Sequence, residues 1–204
     1  MDNCIIINNR RIDLTPEQVA QLLPEKHSLA ELHLSDIPVG KTCKLGEHEI
    51  IVLEDFGSAV AVVRRDPLPD DFEFGKNNNY NGSEADEKCN AFAQELAAIV
   101  GEDNILLHTV DLTANDGLKD YGEITRKASA FTADRQRQYV DIMDQYKTDR
   151  WTWLATPWST PSHESDRLVL CVSPSGSVNY YYYGGDYCGV RPFCILKSDI
   201  FVSK

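Results

Sequence analysis

Side-chain types that commonly perform catalysis are present in this sequence, but they do not stand at catalytic spacings. No close pair of metal ligands such as HExxH occurs among the five histidines, which are His27, His33, His48, His108 and His163. The GxSxG, P-loop and GxGxxG motifs of hydrolases and nucleotide-binding proteins are also missing from the sequence. We therefore expect no catalytic residue, no metal site and no cofactor.

The acidic segment at residues 111–123 resembles a calcium-binding loop only in part. Asp116 and Glu123 stand at the fifth and twelfth places of such a loop. Leu112 and Ala114 stand at the first and third places, where calcium requires oxygen ligands. The segment is therefore predicted to be a polar loop that does not hold calcium.

The most distinctive stretch is residues 179–188, which read NYYYYGGDYC. Inward and outward side chains alternate along a half-buried strand, so at least two of four consecutive tyrosines must face away from the core. Tyrosine with Gly, Asn and Asp is typical of recognition surfaces, because its rigid ring offers contact area at a low cost in conformational entropy. The alternative is an ordinary Tyr-rich strand and turn. We predict a ligand-binding surface made of Asn179, Tyr180, Tyr181, Tyr182, Tyr183, Gly185, Asp186 and Tyr187, with Trp158 beside it.

The three tryptophans of the chain lie within eight positions, at Trp151, Trp153 and Trp158. Trp151 and Trp153 share one face of a predicted strand, and large aromatic side chains at such positions pack in the core. We therefore assign these two residues to the core and Trp158 to the edge of the predicted surface.

Length and charge favour one sizeable domain with a small appendage. A chain of 204 residues can bury about 70% of its unfolded surface, so it needs no disulfide or metal to hold a core. The net charge of −12 repels phosphate backbones and anionic lipids, which argues against nucleic-acid and membrane-surface partners.

The first residues, MDNCIII, lack the basic region of a signal peptide, so cytoplasmic synthesis is expected. The six cysteines form no CxxC pair and are predicted to be buried thiols.

Hydrophobic patterning predicts an α+β domain in which strands are followed by helices and then by strands. Strands are predicted at residues 5–7, 43–45, 48–53, 59–63, 151–154, 168–173, 177–183, 191–196 and 200–202. Both ends of this domain are expected to meet in one mainly antiparallel sheet. We divide the chain into residues 1–36, a strand plus a short helix that begins after Thr15, and the domain at residues 37–204.

Two longer helices are predicted between these groups of strands. The first is capped by Ser83 and ends at Gly101, with the apolar side chains Cys89, Phe92, Leu96 and Ile99 on one face. The second begins at Thr132 and turns Tyr139, Met143 and Tyr146 inward. Polar loops are predicted at residues 65–82 and 111–121.

Several segments resemble, in the same order, a domain family common in gut bacteria and their phages. Its features are a Trp-rich strand ending in Leu-x-Ser/Thr-Pro, a hairpin with Gly-x-Val at its turn, and a terminal Gly-Val-Arg-Pro. The matching segments are residues 116–122, 131–134, 151–158, 175–178 and 189–199. The likeness covers residues 37–204. It implies a C-type-lectin-type fold, which the variable proteins of diversity-generating retroelements also use.

In those variable proteins, a C-terminal hypervariable stretch displays ligand-contacting side chains on a stable scaffold. Retroelements randomise adenines in AAC and AAT codons, which never yields Trp, Lys, Glu, Gln or Met, and residues 179–188 contain none of these five. The stretch also lies directly before residues 189–192 (GVRP), where the variable segment of such proteins ends. The resemblance therefore implies a non-enzymatic, phage- or prophage-encoded protein that binds a protein or cell-surface component. Trp151, Trp153, Arg191 and Pro192 would then belong to the scaffold.

Two alternatives remain open, and the oligomeric state is not predicted. Formylglycine-generating enzymes share the broader fold and use a reactive cysteine pair with copper, for which Cys188 and Cys194 are the candidates. The chain could instead be a structural virion component whose tyrosines pack against another subunit. Calcium-mediated sugar binding is not implied, because the Glu-Pro-Asn, Gln-Pro-Asp and Trp-Asn-Asp motifs of calcium-dependent lectins are missing.

Overall fold

The computed structural model describes residues 32–203, together with the backbone of two short strands at residues 4–7 and 10–13. The chain divides into two compact units, residues 1–32 and residues 33–204. In the first unit, β1 (Cys4–Ile7) pairs antiparallel with β2 (Arg10–Asp13), of which only the first strand was predicted. The predicted helix after Thr15 lies outside the described residues.

The unit at residues 33–204 is α+β, as predicted, and its sheets are mostly antiparallel. Its strands, with Leu32 at the start of the first, are β3 (Leu32–His33), β4 (Thr42–Leu45), β5 (His48–Asp55), β6 (Ala59–Arg64), β7 (Ile105–Leu106), β8 (His108–Asp111), β9 (Glu123–Arg126), β10 (Ala128–Ser129), β11 (Trp151–Pro157), β12 (Leu168–Val172), β13 (Val178–Tyr182), β14 (Cys188–Gly189), β15 (Phe193–Lys197) and β16 (Phe201–Val202). Its α-helices are α1 (Glu84–Val100), α2 (Ala133–Gln138) and α3 (Val140–Met143). Among the described residues, no helix has the length and apolar character needed to cross a membrane.

The larger sheet joins the beginning and the end of this unit. Its strand order is β10-β15-β6-β5-β4, and β7 pairs with β15 beside β10. The strands predicted at residues 43–45, 48–53 and 59–63 are present as β4, β5 and β6, which form an antiparallel meander, and β15 near the C-terminus pairs antiparallel with β6. The prediction that the two ends meet in one sheet is therefore confirmed.

The smaller sheet carries the predicted recognition stretch at its edge. Its order is β13-β12-β11-β14, with β11 and β14 parallel and the other pairs antiparallel. The predicted hairpin is formed by β12 and β13, and Gly176 lies in its turn with a positive φ of 90°. A further hairpin, β8–β9, was not predicted and flanks the polar loop at residues 112–122.

The core lies between the two sheets and helices α2 and α3. It contains side chains from every one of these elements, namely Ile51, Leu53, Ala61, Val63, Phe131, Ala133, Tyr139, Met143, Leu154, Leu170 and Phe193. Leu154 and Leu170 of the smaller sheet belong to the same buried cluster as Phe193 of the larger one. Tyr146 packs against the same cluster, so the predicted inward stripe Tyr139, Met143 and Tyr146 is confirmed.

Two helix predictions need correction. The helix that begins after Thr132 is not continuous, because Tyr139 (φ −106°, ψ 19°) leaves the helical region and separates α2 from α3. In α1, Cys89, Phe92 and Leu96 are buried as predicted, but Ile99 is exposed. The Ile99 side chain instead covers Gly46 in the turn between β4 and β5, where its Cδ1 lies 2.9 Å from the position that a Cβ would take. The last turn of the helix therefore rests on a hairpin turn and not in the core.

Candidate functional site: an aromatic edge strand

The predicted recognition stretch forms the outer strand of the smaller sheet. All five residues of β13 are exposed, whereas its neighbour β12 buries Val169, Leu170 and Cys171. Side chains on both faces of the smaller sheet are therefore buried as far as β12, and burial ends at β13. This termination explains how consecutive tyrosines point to opposite faces and still remain in contact with solvent.

Five aromatic side chains form what we call the aromatic surface: Trp158, Tyr180, Tyr181, Tyr182 and Tyr187. Their exposed fractions run from 37% for Trp158 to 62% for Tyr187. Tyr180 packs against Trp158 with ring centroids 4.6 Å apart, and Tyr181 meets Tyr187 edge to face at 5.8 Å. Four of the rings therefore pack in two pairs, and all five side chains remain exposed.

Two glycines directly after β13 make room for the rings. A Cβ on Gly184 would lie 2.7 Å from Cε1 of Tyr182, and a Cβ on Gly185 would lie 2.5 Å from Cε1 of Tyr181. Neither glycine has a positive φ, so the requirement is close approach and not backbone conformation. The Gly184–Gly185 pair therefore leaves the space in which both tyrosine rings pack, and this packing orients the rings.

The packing of Tyr181 on Gly185 corrects the prediction that Gly185 contacts a ligand. Gly185 is buried beneath Tyr181 and was predicted to contact a ligand, so its role is to position a ring. Tyr183 is only half-buried, with its ring centroid 4.5 Å from that of Tyr182. Asn179 and Asp186 are exposed beside the aromatic surface, in agreement with their prediction as surface residues.

The loop at residues 65–82 fastens the segment that follows β13, a role that sequence reasoning missed. Phe74 N donates to Tyr183 O at 2.7 Å, and Phe72 N donates to Cys188 O at 3.1 Å. Arg150 holds this loop in turn, through an ion pair with Asp71 and a hydrogen bond to the Leu68 carbonyl. Backbone pairing of this kind leaves no pattern of side-chain types in the sequence. The sequence therefore predicted a polar loop at residues 65–82 but not its pairing with the segment after β13.

Asn78 fixes the other side of the surface next to Trp158. Its Nδ2 donates to Ser159 O at 2.8 Å and to Leu168 O at 3.1 Å, and its Oδ1 accepts from the Tyr121 hydroxyl at 2.6 Å. Asn78 is fully buried, so these bonds satisfy an amide that would otherwise be costly to bury. The asparagine-rich run at residues 77–81 was the only signal in the sequence, and it indicated the end of a loop.

The rival pair of cysteines is divided between the two sheets. Cys188 lies in β14 beside Trp151, and Cys194 lies in β15 beside Val62 and Ala128. A hydrogen bond with the Cys171 thiol and burial raise the pKa of Cys188, and burial raises the pKa of Cys194. Both thiols therefore stay protonated at neutral pH, which is unfavourable for nucleophilic or metal-binding thiolates.

Reduction is expected to leave the melting temperature unchanged. The five cysteines with described side chains are buried and unpaired: Cys43, Cys89, Cys171, Cys188 and Cys194. Because the fold contains no crosslink among them, a reducing agent has no bond to break there. The measurement is a thermal melt with and without dithiothreitol, and a stoichiometric native disulfide found by mass spectrometry would contradict the expectation.

The polar loop at residues 112–122 turns its carboxylates toward donors of the protein itself. Asp116 accepts from the Ser159 hydroxyl at 2.6 Å and from His163 Nδ1 at 3.1 Å, and the Ser159 bond is the main cause that lowers the pKa of Asp116. Asp120 accepts from Ser162 N at 3.1 Å. Within residues 32–203, no three acidic, histidine or cysteine side chains are grouped to hold a metal ion. These carboxylates brace the segment that follows Trp158.

Comparisons with protein-family models, curated proteins and solved structures gave no match. The site consists of open aromatic rings on a backbone held from both sides, and binding is the chemistry that such rings support.

Proposed function

We propose that this chain is a non-enzymatic ligand-binding protein whose aromatic surface contacts a macromolecular ligand, either a protein or a cell-surface component. One observation carries the proposal: every residue of β13 is exposed, while β12 beside it is buried at Val169, Leu170 and Cys171. Large aromatic rings exposed on both faces of an edge strand cost solvation free energy, and exposed apolar clusters mark interaction sites. Tyrosine and tryptophan are also the residues most enriched at binding hot spots.

The finer part of the proposal is a C-type-lectin-type fold in a protein encoded by a phage or prophage, with a stretch diversified by a retroelement. Support comes from the motif order in the sequence, from the mostly antiparallel α+β architecture, and from the position of residues 179–188 between the hairpin turn at Gly176 and Gly189. A stretch that tolerates diversification must lie outside the core. The exposed residues of β13, with Asp186 and Tyr187, meet that condition, whereas Gly185 and Cys188 are buried and would have to stay constant.

Binding in the absence of catalysis is favoured by the chemistry of the surface. Its side chains are tyrosines and a tryptophan with Asn179 and Asp186 beside them, and neither thiol of the rival cysteine pair lies on it. The tyrosine hydroxyls and rings supply hydrogen bonds and apolar contact, both of which serve recognition. The virion-component alternative is an outcome of the experiment below.

The proposal is tested by screening the full chain against peptide and glycan arrays and repeating the screen with Tyr180→Ala/Tyr182→Ala/Tyr187→Ala. We expect ligands retained by the wild type to bind the triple variant at least about tenfold more weakly, since hot-spot truncations cost about 2 kcal/mol or more. Phe56→Ala is the matched control, because Phe56 is an aromatic residue exposed to the same degree in a turn outside the surface. Equal binding by all three proteins would contradict the proposal. Assembly of the wild type alone with a virion subunit would favour the structural alternative.

Diversification is tested in the surrounding DNA. The expected finding is a reverse-transcriptase gene together with a near-copy of codons 175–196 that differs only at adenines. A copy that differs at other bases equally often would refute diversification, whereas the binding proposal would stand on the array result.

A further inference from the structure

The outer edge of β13 carries backbone groups that have no hydrogen-bond partner among the described residues. Tyr183 N donates to Arg167 O at 3.0 Å, which marks this pair as hydrogen-bonded across the β12–β13 hairpin. Hydrogen-bonded and non-hydrogen-bonded pairs alternate along antiparallel strands. Tyr182, Tyr180 and Val178 therefore direct their N–H and C=O groups away from β12, toward solvent.

One of these outward groups is already occupied, and the others are open. Gly185 N donates to Tyr182 O at 2.9 Å, so the turn closes that end of the edge. The N–H and C=O of Val178 and Tyr180 and the N–H of Tyr182 remain. They form a row of alternating donors and acceptors, which is the pattern that another extended strand would pair with.

Among residues 32–203, nothing supplies this edge with the features by which exposed strands usually avoid pairing. Natural edges are protected by lysine, proline, bulges or a covering segment. Residues 177–187 contain no Lys, Arg or Pro, and their only charge is Asp186. The β12–β13 register also runs without a bulge from Val178 to Tyr182. An unprotected edge of this kind can pair with an added strand.

The charges around the edge define the chemistry of that partner. Asp186 follows β13, Asp166 and Arg167 precede β12, and Asp116 and Asp120 contact the segment after Trp158, so four of these five charges are negative. The chain as a whole carries a net charge of −12, which opposes pairing with a second copy. Tyrosine faces attract Lys and Arg cations, and acidic flanks add to that attraction.

We propose that β13 binds an extended Lys- or Arg-rich segment of another protein by adding it as a fifth strand to the smaller sheet. This inference rests on the proposed function and specifies its partner and mode of binding. The backbone groups of Val178 and Tyr180 pair with the segment. Alternate side chains of the segment meet Tyr180 and Tyr182 on one face of the sheet and Tyr181 and Tyr187 on the other.

The first arm of the test uses a capped octapeptide of alternating Lys and Val as the probe. It is titrated into the full chain by calorimetry at physiological ionic strength, beside the same peptide with every amide N-methylated and a Glu-Val peptide. N-methylation keeps the charge and side chains but removes the backbone donors. We expect binding of the Lys-Val peptide, a loss of at least about tenfold on N-methylation, and weaker binding still of the Glu-Val peptide.

The second arm changes the protein edge with a matched pair of variants. Tyr180→Ala removes the ring and keeps the N–H, whereas Tyr180→Pro also removes the outward N–H, which β12 does not use. We expect Tyr180→Pro to bind the Lys-Val peptide about tenfold more weakly than Tyr180→Ala. Val178→Pro repeats the comparison at the second outward position, and an unchanged denaturation midpoint shows that each variant is folded.

The outcomes separate this inference from the proposed function. Equal binding of the N-methylated and unmodified peptides, equal binding by Tyr180→Pro and Tyr180→Ala, or no binding of the Lys-Val peptide would each overturn strand addition. In those cases the proposed function stands if the array ligands still depend on Tyr180, Tyr182 and Tyr187. It falls together with strand addition if they do not.

Discussion

Replacing Trp153 by alanine is expected to lower the free energy of unfolding by about 3–5 kcal/mol. Trp153 is 1% exposed, and its ring meets Phe74 edge to face with centroids 5.5 Å apart. Its Nε1 donates to the Phe72 carbonyl at 3.0 Å. Truncation leaves a cavity and an unpaired carbonyl in the core that supports the aromatic surface. Urea denaturation followed by circular dichroism measures the loss.

The matched controls for Trp153→Ala are truncations on the aromatic surface. Tyr180→Ala and Tyr187→Ala are expected to change the free energy of unfolding by about 0.5 kcal/mol or less, because these rings are more than half exposed. Tyr181→Ala is expected to cost about 1 kcal/mol, since its ring rests on Gly185 and lies 6.4 Å from the Trp153 ring. Losses at Tyr180 and Tyr187 as large as that of Trp153→Ala would make the stretch structural and remove the main support for binding.

Acidification is expected to destabilise the protein through His108. Burial, aided by the Arg135 guanidinium, lowers the pKa of His108 from 6.5 to about 3. Between these values the unfolded chain takes up a proton that the folded protein does not. The contribution of His108 is therefore fully present above pH 6.5 and is lost as the pH falls toward 3. The slope is about 1.4 kcal/mol per pH unit, which amounts to about 3 kcal/mol two units below pH 6.5.

His108→Gln is the variant that isolates this effect. Glutamine does not titrate, and its amide can keep a hydrogen bond to the Ser129 hydroxyl, which lies 2.9 Å from His108 Nε2. The denaturation midpoint of His108→Gln is expected to vary much less between pH 6.5 and 4.5 than that of the wild type. Identical slopes in wild type and His108→Gln would show that other groups account for the acid sensitivity.

Local signals in the sequence determined where most elements begin and end. Ser83 and Gly101 bound α1 as predicted, and Thr132 starts α2, because a cap acts through hydrogen bonds within one turn of backbone. The turn at Gly176 set the β12–β13 hairpin for the same reason. Alternation was sufficient to predict that at least two of the four consecutive tyrosines face away from the core. That part depends only on the geometry of consecutive residues, whereas the exposure of every residue of β13 depends on its edge position.

Contacts between distant residues decided the rest. Whether β13 is an edge or an inner strand depends on which strand pairs beside β12, and no residue near Tyr180 encodes that choice. Nearby residues also do not encode the role of Asn78, whose amide joins the segment after Trp158 to β12. Nor do they encode the role of Gly185, which leaves space for the Tyr181 ring. Sequence patterns report the periodicity of one segment, whereas pairing order and close packing arise from the free energy of the whole chain. The residues that could form a recognition surface were therefore determined locally, and only the tertiary structure made them the open, supported edge of a sheet.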